Sequence, residues 1–194
     1  HLRFAKRPED LHAARIAAGG ADLLLGCDIV AAGSSESLAK LRAGHSHAVV
    51  NNHETMTAEF TQRPDMEFPE QGLIEAITSA TGDDAATFVS ASSLATAILG
   101  DSIATNLFMV GYAWQKGLVP LGRAAIERVI DLNGVAVDFN KEAFLWGRRA
   151  AHDLTAVERA AMPERQAVEK APASPDDVVA RRVSELTAYQ DAAY

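Results

Sequence analysis

Residues 100–120, GDSIATNLFMVGYAWQKGLVP, restrict the fold more than any other stretch of this chain. Asp101 or Ser102 can cap a helix, about a dozen mostly apolar residues follow, and Lys116-Gly117 with Pro120 three residues later ends the run. Ile103, Leu107, Val110 and Trp114 recur at helical spacing, while Phe108, Met109 and Tyr112 cover the other faces. A helix apolar on nearly all sides must be enclosed, either inside a large fold or against a partner. It falls short of the roughly 18 uninterrupted apolar residues that a membrane span requires, so it reads as a core element. Asn106 is its polar exception. Burying that amide unpaired costs about 2 kcal/mol or more, so Asn106 is expected to hold a nearby backbone group or a group across an interface. Asp101 is expected to serve structure or an interface in the same way.

The flanking sequence reads as alternating strands and helices. HLRFAK (1–6) alternates like a strand, and ADLLLGCD (21–28) is a compact apolar run suited to a strand buried on both faces. SSESLAKLRAG (34–44) predicts a helix capped by Ser34 or Ser35 and stopped by Gly44, and HSHAVVNN (45–52) the next strand. Strand, helix, strand in that order is the crossover unit of a parallel α/β sheet. Further helices are predicted over 69–82 and 121–134, and from about Asn140, with a strand at ATFVSAS (86–92) and a brief helix at SLATAILG (93–100). From Thr155 to Asp177, Pro163, Pro172 and Pro175 predict a linker or loosely held arm, and a final helix carries Val179, Val183 and Leu186 on one stripe. The expected division is therefore a body over 1–154 and a linker with C-terminal helix over 155–194. His1 in place of a start methionine and a closing helix that reads as unfinished predict a piece of a longer polypeptide.

A net charge of −8 with scattered basic residues argues against a nucleic-acid partner, which clustered Lys and Arg would have to hold. The single cysteine, Cys27, excludes an internal disulfide framework and any iron–sulfur cluster or structural zinc held by this chain's own thiolates, and it fits a reducing, cytoplasmic setting. His45 and His47 lie two apart on a predicted strand, but no carboxylate or thiol at ligand spacing completes a metal set.

NNHETMT (51–57) lies at the carboxyl end of a strand, where parallel α/β folds place ligands. Asn51, Asn52, His53, Glu54 and Thr57 are the candidate residues, with His53 and Glu54 of a type suited to acid–base work. The plainer reading is that Asn51 and Asn52 shape the turn and Thr57 caps a bend. Asp28 ends another strand like a ribose-binding acid, yet no glycine-rich turn precedes it. Gly-x-Ser-x-Gly and Gly-Lys-Ser motifs are also missing, so no catalytic residue is assigned and no cofactor is expected on this chain alone. Trp114 and Trp146 read as core or interface anchors.

The long segment GDSIATNLFMVGYAWQKGLVPLGRAAIERVIDLNGVAVDFNKEAFLWGRRAA, with ADLLLGCD, VVNNHETMTAEF and RRVSELTAYQDAAY, closely resembles the gamma-type domain of 2-oxoacid:ferredoxin oxidoreductases, in particular the indolepyruvate type. The resemblance covers nearly the whole chain through several long, irregular strings in the same order. It implies a three-layer α/β/α sandwich with a mostly parallel sheet and a C-terminal helical arm. It also implies membership of an enzyme that oxidatively decarboxylates a 2-oxoacid to acyl-CoA and passes two electrons to ferredoxin. Thiamine diphosphate and [4Fe-4S] clusters belong to other domains or subunits of such an enzyme. This agrees with the lone cysteine and with the missing Gly-Asp-Gly thiamine signature. The glycine-rich strand–turn–helix and Gln-Lys-Gly-Gly stretch that family members carry ahead of HLRFAK are not in these residues.

The resemblance thus implies a domain serving assembly and active-site closure, with the other subunits, CoA and, indirectly, ferredoxin as partners, in a homo-oligomer with no membrane attachment. The rival expectation is a stand-alone Rossmann-like protein binding a nucleotide or metabolite between Asp28 and Asn51–Glu54. A purely structural scaffold is the third.

Overall fold

The computed structural model describes residue 9, residues 15–54 and 68–162, and residues 178, 179 and 183. The chain divides into two units, residues 1–161 and 162–194. In the second, Val178, Val179 and Val183 are helical and exposed. The predicted strand over 1–6, Thr57 and Leu186 lie outside the described residues.

The first unit is α/β. Three parallel strands, β1 (Leu23–Gly26), β2 (His47–Asn51) and β3 (Ala86–Val89), form a sheet in the order β1-β2-β3. Leu23 pairs with His47 and Ala48 with Ala86, so the strands begin nearly level. Side chains leave a strand alternately to its two faces. Leu24, Ala48, Val50, Ala86 and Phe88 meet Ile29, Ala32, Leu73 and Ile77 on one side. Leu23, Leu25, Val49 and Val89 meet Leu94, Phe108, Met109, Tyr112 and Ala150 on the other. Both faces are therefore covered, which is why LLLG and AVV are apolar without alternation.

Between β1 and β2 run two single-turn helices, α1 (Ile29–Ala32), capped by Asp28, and α2 (Ser35–Leu38), capped by Ser34. The sequence predicts one helix over 34–44; the observed one stops at Leu38. The carbonyls that a further turn would use are taken from outside, by Gly19 N–H on Ala39 and Ala21 N–H on Lys40, at 3.1 and 3.0 Å. Helix α3 (Glu70–Thr81) joins β2 to β3 and buries Ile77. The helices of both crossovers pack on the same sheet face, as two connections of one hand between strands laid down in order must.

After β3 the chain passes to the opposite face and stays helical: α4 (Ala91–Leu99), a 3-10 turn (Ser102–Ala104), α5 (Thr105–Gln115), α6 (Arg123–Asn133), α7 (Val137–His152) and α8 (Leu154–Ala161). The arrangement is that of an α/β/α sandwich. Helix α7 starts three residues before the expected Asn140, and α8 occupies the beginning of the predicted linker. Asp153 caps α8 by accepting from Ala156 N–H at 2.9 Å, and Val157 enters the core. Three prolines farther on do not prevent a helix that ends before the first of them.

The apolar helix is α5, and its inward face differs from the predicted stripe. Phe108, Met109, Tyr112 and Ala113 are the buried side chains, whereas Leu107, Val110 and Trp114 are half-covered by Ile126, Ile130 and Phe144. Ile103 lies in the 3-10 turn with 70% of its surface in water. Asn106 is exposed within this chain, so its amide needs no internal partner, and a contact across an interface is the alternative left to it. The buried polar side chain here is its neighbour Thr105.

Helices α5 and α7 touch backbone to backbone. A Cβ on Gly111 would overlap the carbonyl of Phe144, and one on Gly147 would overlap the carbonyl of Phe108. With 108 opposite 147 and 111 opposite 144, the two helices run antiparallel.

Candidate functional site

Adjacent strands whose exits lead to opposite faces leave a crevice at the carboxyl edge of a parallel sheet. Here β2 leads to α3 on one face and β3 leads to α4 on the other, so the crevice lies between the ends of β2 and β3. Asn51, Asn52, His53 and Glu54 come from the first exit and Ser90, Ser92 and Ser93 from the second. The exit of β1 adds Cys27 and Asp28.

Asn51 ties the three exits together. It is 2% exposed. Its Nδ2 donates to the Cys27 carbonyl and to Ser92 Oγ, each at 3.0 Å, and its Oδ1 accepts from His53 N–H and Ser92 N–H, each at 3.3 Å. Both donors and both lone pairs of the amide are thereby used. Ser92 Oγ lies 3.0 Å from Thr105 Oγ1, which donates to the Ser102 carbonyl at 2.6 Å. Because the threonine proton is committed to that carbonyl, the Ser92 hydroxyl donates to Thr105. A directional chain of hydroxyls thus runs from β2 to the start of α5.

The neighbouring side chains face outward. Asn52 donates to Glu70 Oε1 at 3.2 Å and accepts from Ser90 Oγ at 3.0 Å, spanning the crevice from α3 to the end of β3. His53 Nδ1 lies 3.1 Å from Ser93 Oγ, and both residues are exposed, as is Glu54. Asn52, His53, Glu54 and Ser93 are therefore the groups that an incoming molecule would meet, with Asn51 as their internal support. Thr57 lies outside the described residues. Asp101 is spent locally, accepting from Ile103 N–H at 2.9 Å to cap the 3-10 turn. Asp28 is likewise a helix cap, accepting from Ala31 N–H at 2.7 Å.

The three serines and Thr105 are absent from the candidate set drawn from the sequence. The available signal was the SASS string directly after an apolar strand, since every strand exit in a parallel fold borders the same edge.

Cys27 is exposed as a residue, yet desolvation around its sulfur raises the thiol pKa above the ordinary value. A raised pKa leaves less thiolate at neutral pH, which weakens nucleophilicity and metal affinity together. Alkylation of Cys27 by iodoacetamide at pH 7 is expected to run slower than that of free cysteine, with the rate rising only at more alkaline pH. A rate equal to that of free cysteine would contradict the shift.

His45 engages Asp22, with Nε2 2.8 Å from Oδ1, and His47 opens β2 in an exposed position. Among the described residues no group of three or more His, Cys, Asp or Glu is arranged to hold a metal ion, and no helix is long and apolar enough to cross a membrane. Comparison of the chain with protein-family models, curated proteins and solved structures finds no match.

Proposed function

We propose that this chain is the gamma-type domain of a 2-oxoacid:ferredoxin oxidoreductase, most similar to the indolepyruvate type, and that it serves assembly and active-site closure. The complex would cleave the bond between the carboxylate and the keto carbon of a 2-oxoacid, release CO2, and join the acyl group to CoA. Two electrons would pass to ferredoxin through thiamine diphosphate and clusters held by other subunits or domains. The reading rests on the sequence resemblance, and the α/β/α architecture agrees with it.

The observation that carries the assembly role is the outer face of α6. Ile126 and Ile130 point into the body, but Val129, Leu132 and the following Val135 are 64%, 68% and 66% exposed. Val129 and Leu132, one turn apart on α6, with Val135 just past its end, give the helix a second apolar side, which marks a surface built to be covered. The switch-point crevice supplies hydroxyl, amide and imidazole groups suited to the polar parts of CoA or to closing over a keto acid.

Leu132→Glu should leave the isolated chain folded, because its side chain is in water, while abolishing co-purification with the thiamine- and cluster-bearing subunits and with it acyl-CoA production. Reconstituted enzyme that tolerates Leu132→Glu, or that turns over normally without this domain, refutes the assembly role. The crevice also favours a second reading, a stand-alone nucleotide- or metabolite-binding protein. Tight nucleotide binding by the isolated chain in calorimetry would select it.

A further inference from the structure

We infer that a cavity bordered by the last turns of α7 and by α8 is a binding site for a small carboxylate with an apolar tail. The cavity measures about 390 Å³ and is lined by Trp146, Arg149, His152, Asp153, Val157 and Ala160, among others. That volume is within the range that accepts small organic molecules. Val157, Ala160 and the indole supply its apolar wall, and Arg149, His152 and Asp153 the polar part of the lining.

Two features give the site its chemistry. The indole N–H of Trp146 is buried without a hydrogen-bond partner, and no other buried side-chain nitrogen or oxygen among the described residues lacks one. A buried donor left unpaired is unfavourable, and an acceptor oxygen brought to it would remove that cost. The second feature is Arg149, whose guanidinium carbon sits 4.6 Å from the centre of the Trp146 ring. Arg149 pairs with no carboxylate among the described residues. His152 also lines the cavity. The one acid there, Asp153, is occupied as the cap of α8.

An entering carboxylate meets a guanidinium that has no carboxylate partner among the described residues, beside an indole N–H that is unpaired but out of reach of water and an aspartate that caps α8 and keeps its charge. The indole N–H is closed to water in the ligand-free molecule. Arg149 is exposed and can turn toward the anion, while reaching the indole N–H requires the groups that cover it to move as well. A guanidinium–carboxylate bond is charge-assisted and stronger than a neutral one, which makes anionic head groups the preferred class. The apolar wall then selects for a hydrocarbon or aryl tail over a short polar acid.

The test uses the full chain with octanoate as probe and octanol as its neutral counterpart, measured by calorimetry. Saturable octanoate binding is expected, with octanol at least about tenfold weaker, equivalent to ~1.4 kcal/mol. Arg149→Gln should weaken octanoate by about tenfold or more and leave octanol unchanged, by the same conversion. Trp146→Phe, which keeps a ring but removes the donor, should weaken it severalfold. In a Trp114→Phe background Trp146 is the sole tryptophan, and its fluorescence should change on titration with the same midpoint. Unchanged thermal melts of the variants show that they remain folded. Absence of saturable binding at millimolar octanoate, equal affinity for octanol, or indifference to Arg149→Gln overturns the assignment. None of these outcomes bears on the oxidoreductase reading, which stands or falls with the α6 variant.

Discussion

Gly111→Ala is expected to destabilise the protein by about 3 kcal/mol or more, at or beyond the top of the usual range for overpacking. The reason is that the new methyl would strike a main-chain carbonyl, Phe144 O, and not the end of a movable side chain. Gly147→Ala should behave alike against Phe108 O. For a chain of this size the melting temperature would fall by roughly 6–12 °C, at about 2–4 °C per kcal/mol. The sign is diagnostic, since alanine is favoured over glycine in a helix by about 1 kcal/mol when nothing else intervenes. Gly72 in α3 provides the control: a Cβ there meets no atom within 4 Å, so Gly72→Ala should be neutral or stabilising. The double variant Gly111→Ala/Gly147→Ala should lose less than the sum of its parts, because the first methyl already forces the helices apart. A Gly111→Ala protein melting at the original temperature would mean that α5 and α7 are not in main-chain contact.

The second large effect is expected at Asn51. Removing its side chain in Asn51→Ala takes the partner from the Cys27 carbonyl and from the His53 and Ser92 amides at once, while the Ser92 hydroxyl keeps Thr105. A buried group left unpaired costs about 1–3 kcal/mol, and because the Cys27 and His53 positions lie partly open to water the total loss expected in chemical denaturation is about 2–3 kcal/mol. Asn51→Asp separates charge from shape. The carboxylate oxygen that replaces Nδ2 would face the Cys27 carbonyl with no proton to offer, and burial would raise its pKa above the unfolded value. The native state then binds the extra proton more tightly, so the Asn51→Asp defect should shrink as pH falls through the raised pKa and be largest above it. An Asn51→Asp protein with a pH-independent deficit would show that the strand ends are held by something other than this amide.

Much of the sheet could be read from the chain because local pattern and tertiary role coincide. Leu23 to Leu25 and Ala48 to Val50 are apolar without alternation, which only a doubly covered strand demands. Helices α3 and α6 have an apolar period and a glycine stop in one stretch. The misread parts depend on distant partners. Nothing near Leu38 says that Gly19 and Ala21 will claim the carbonyls beyond it. Nothing near Asn106 says that cover begins one residue later. The strand-end position of Asn51 was legible, but its role was not, since its four partners come from three separate exits. The Gly111–Gly147 contact joins residues far apart in the chain, and each glycine alone looks like a defect in its helix.

That contact also determines how α5 and α7 respond to force. Ordinarily packed helices slide because side chains between them can change rotamer, and here the interface at the crossing lacks that cushion. The pair is therefore expected to shift as one unit. One end holds Thr105, the terminus of the hydroxyl chain from β2, and the antiparallel arrangement brings the last turn of α7 to that same end. A push on that turn would reach the hydroxyl chain with little loss along the way.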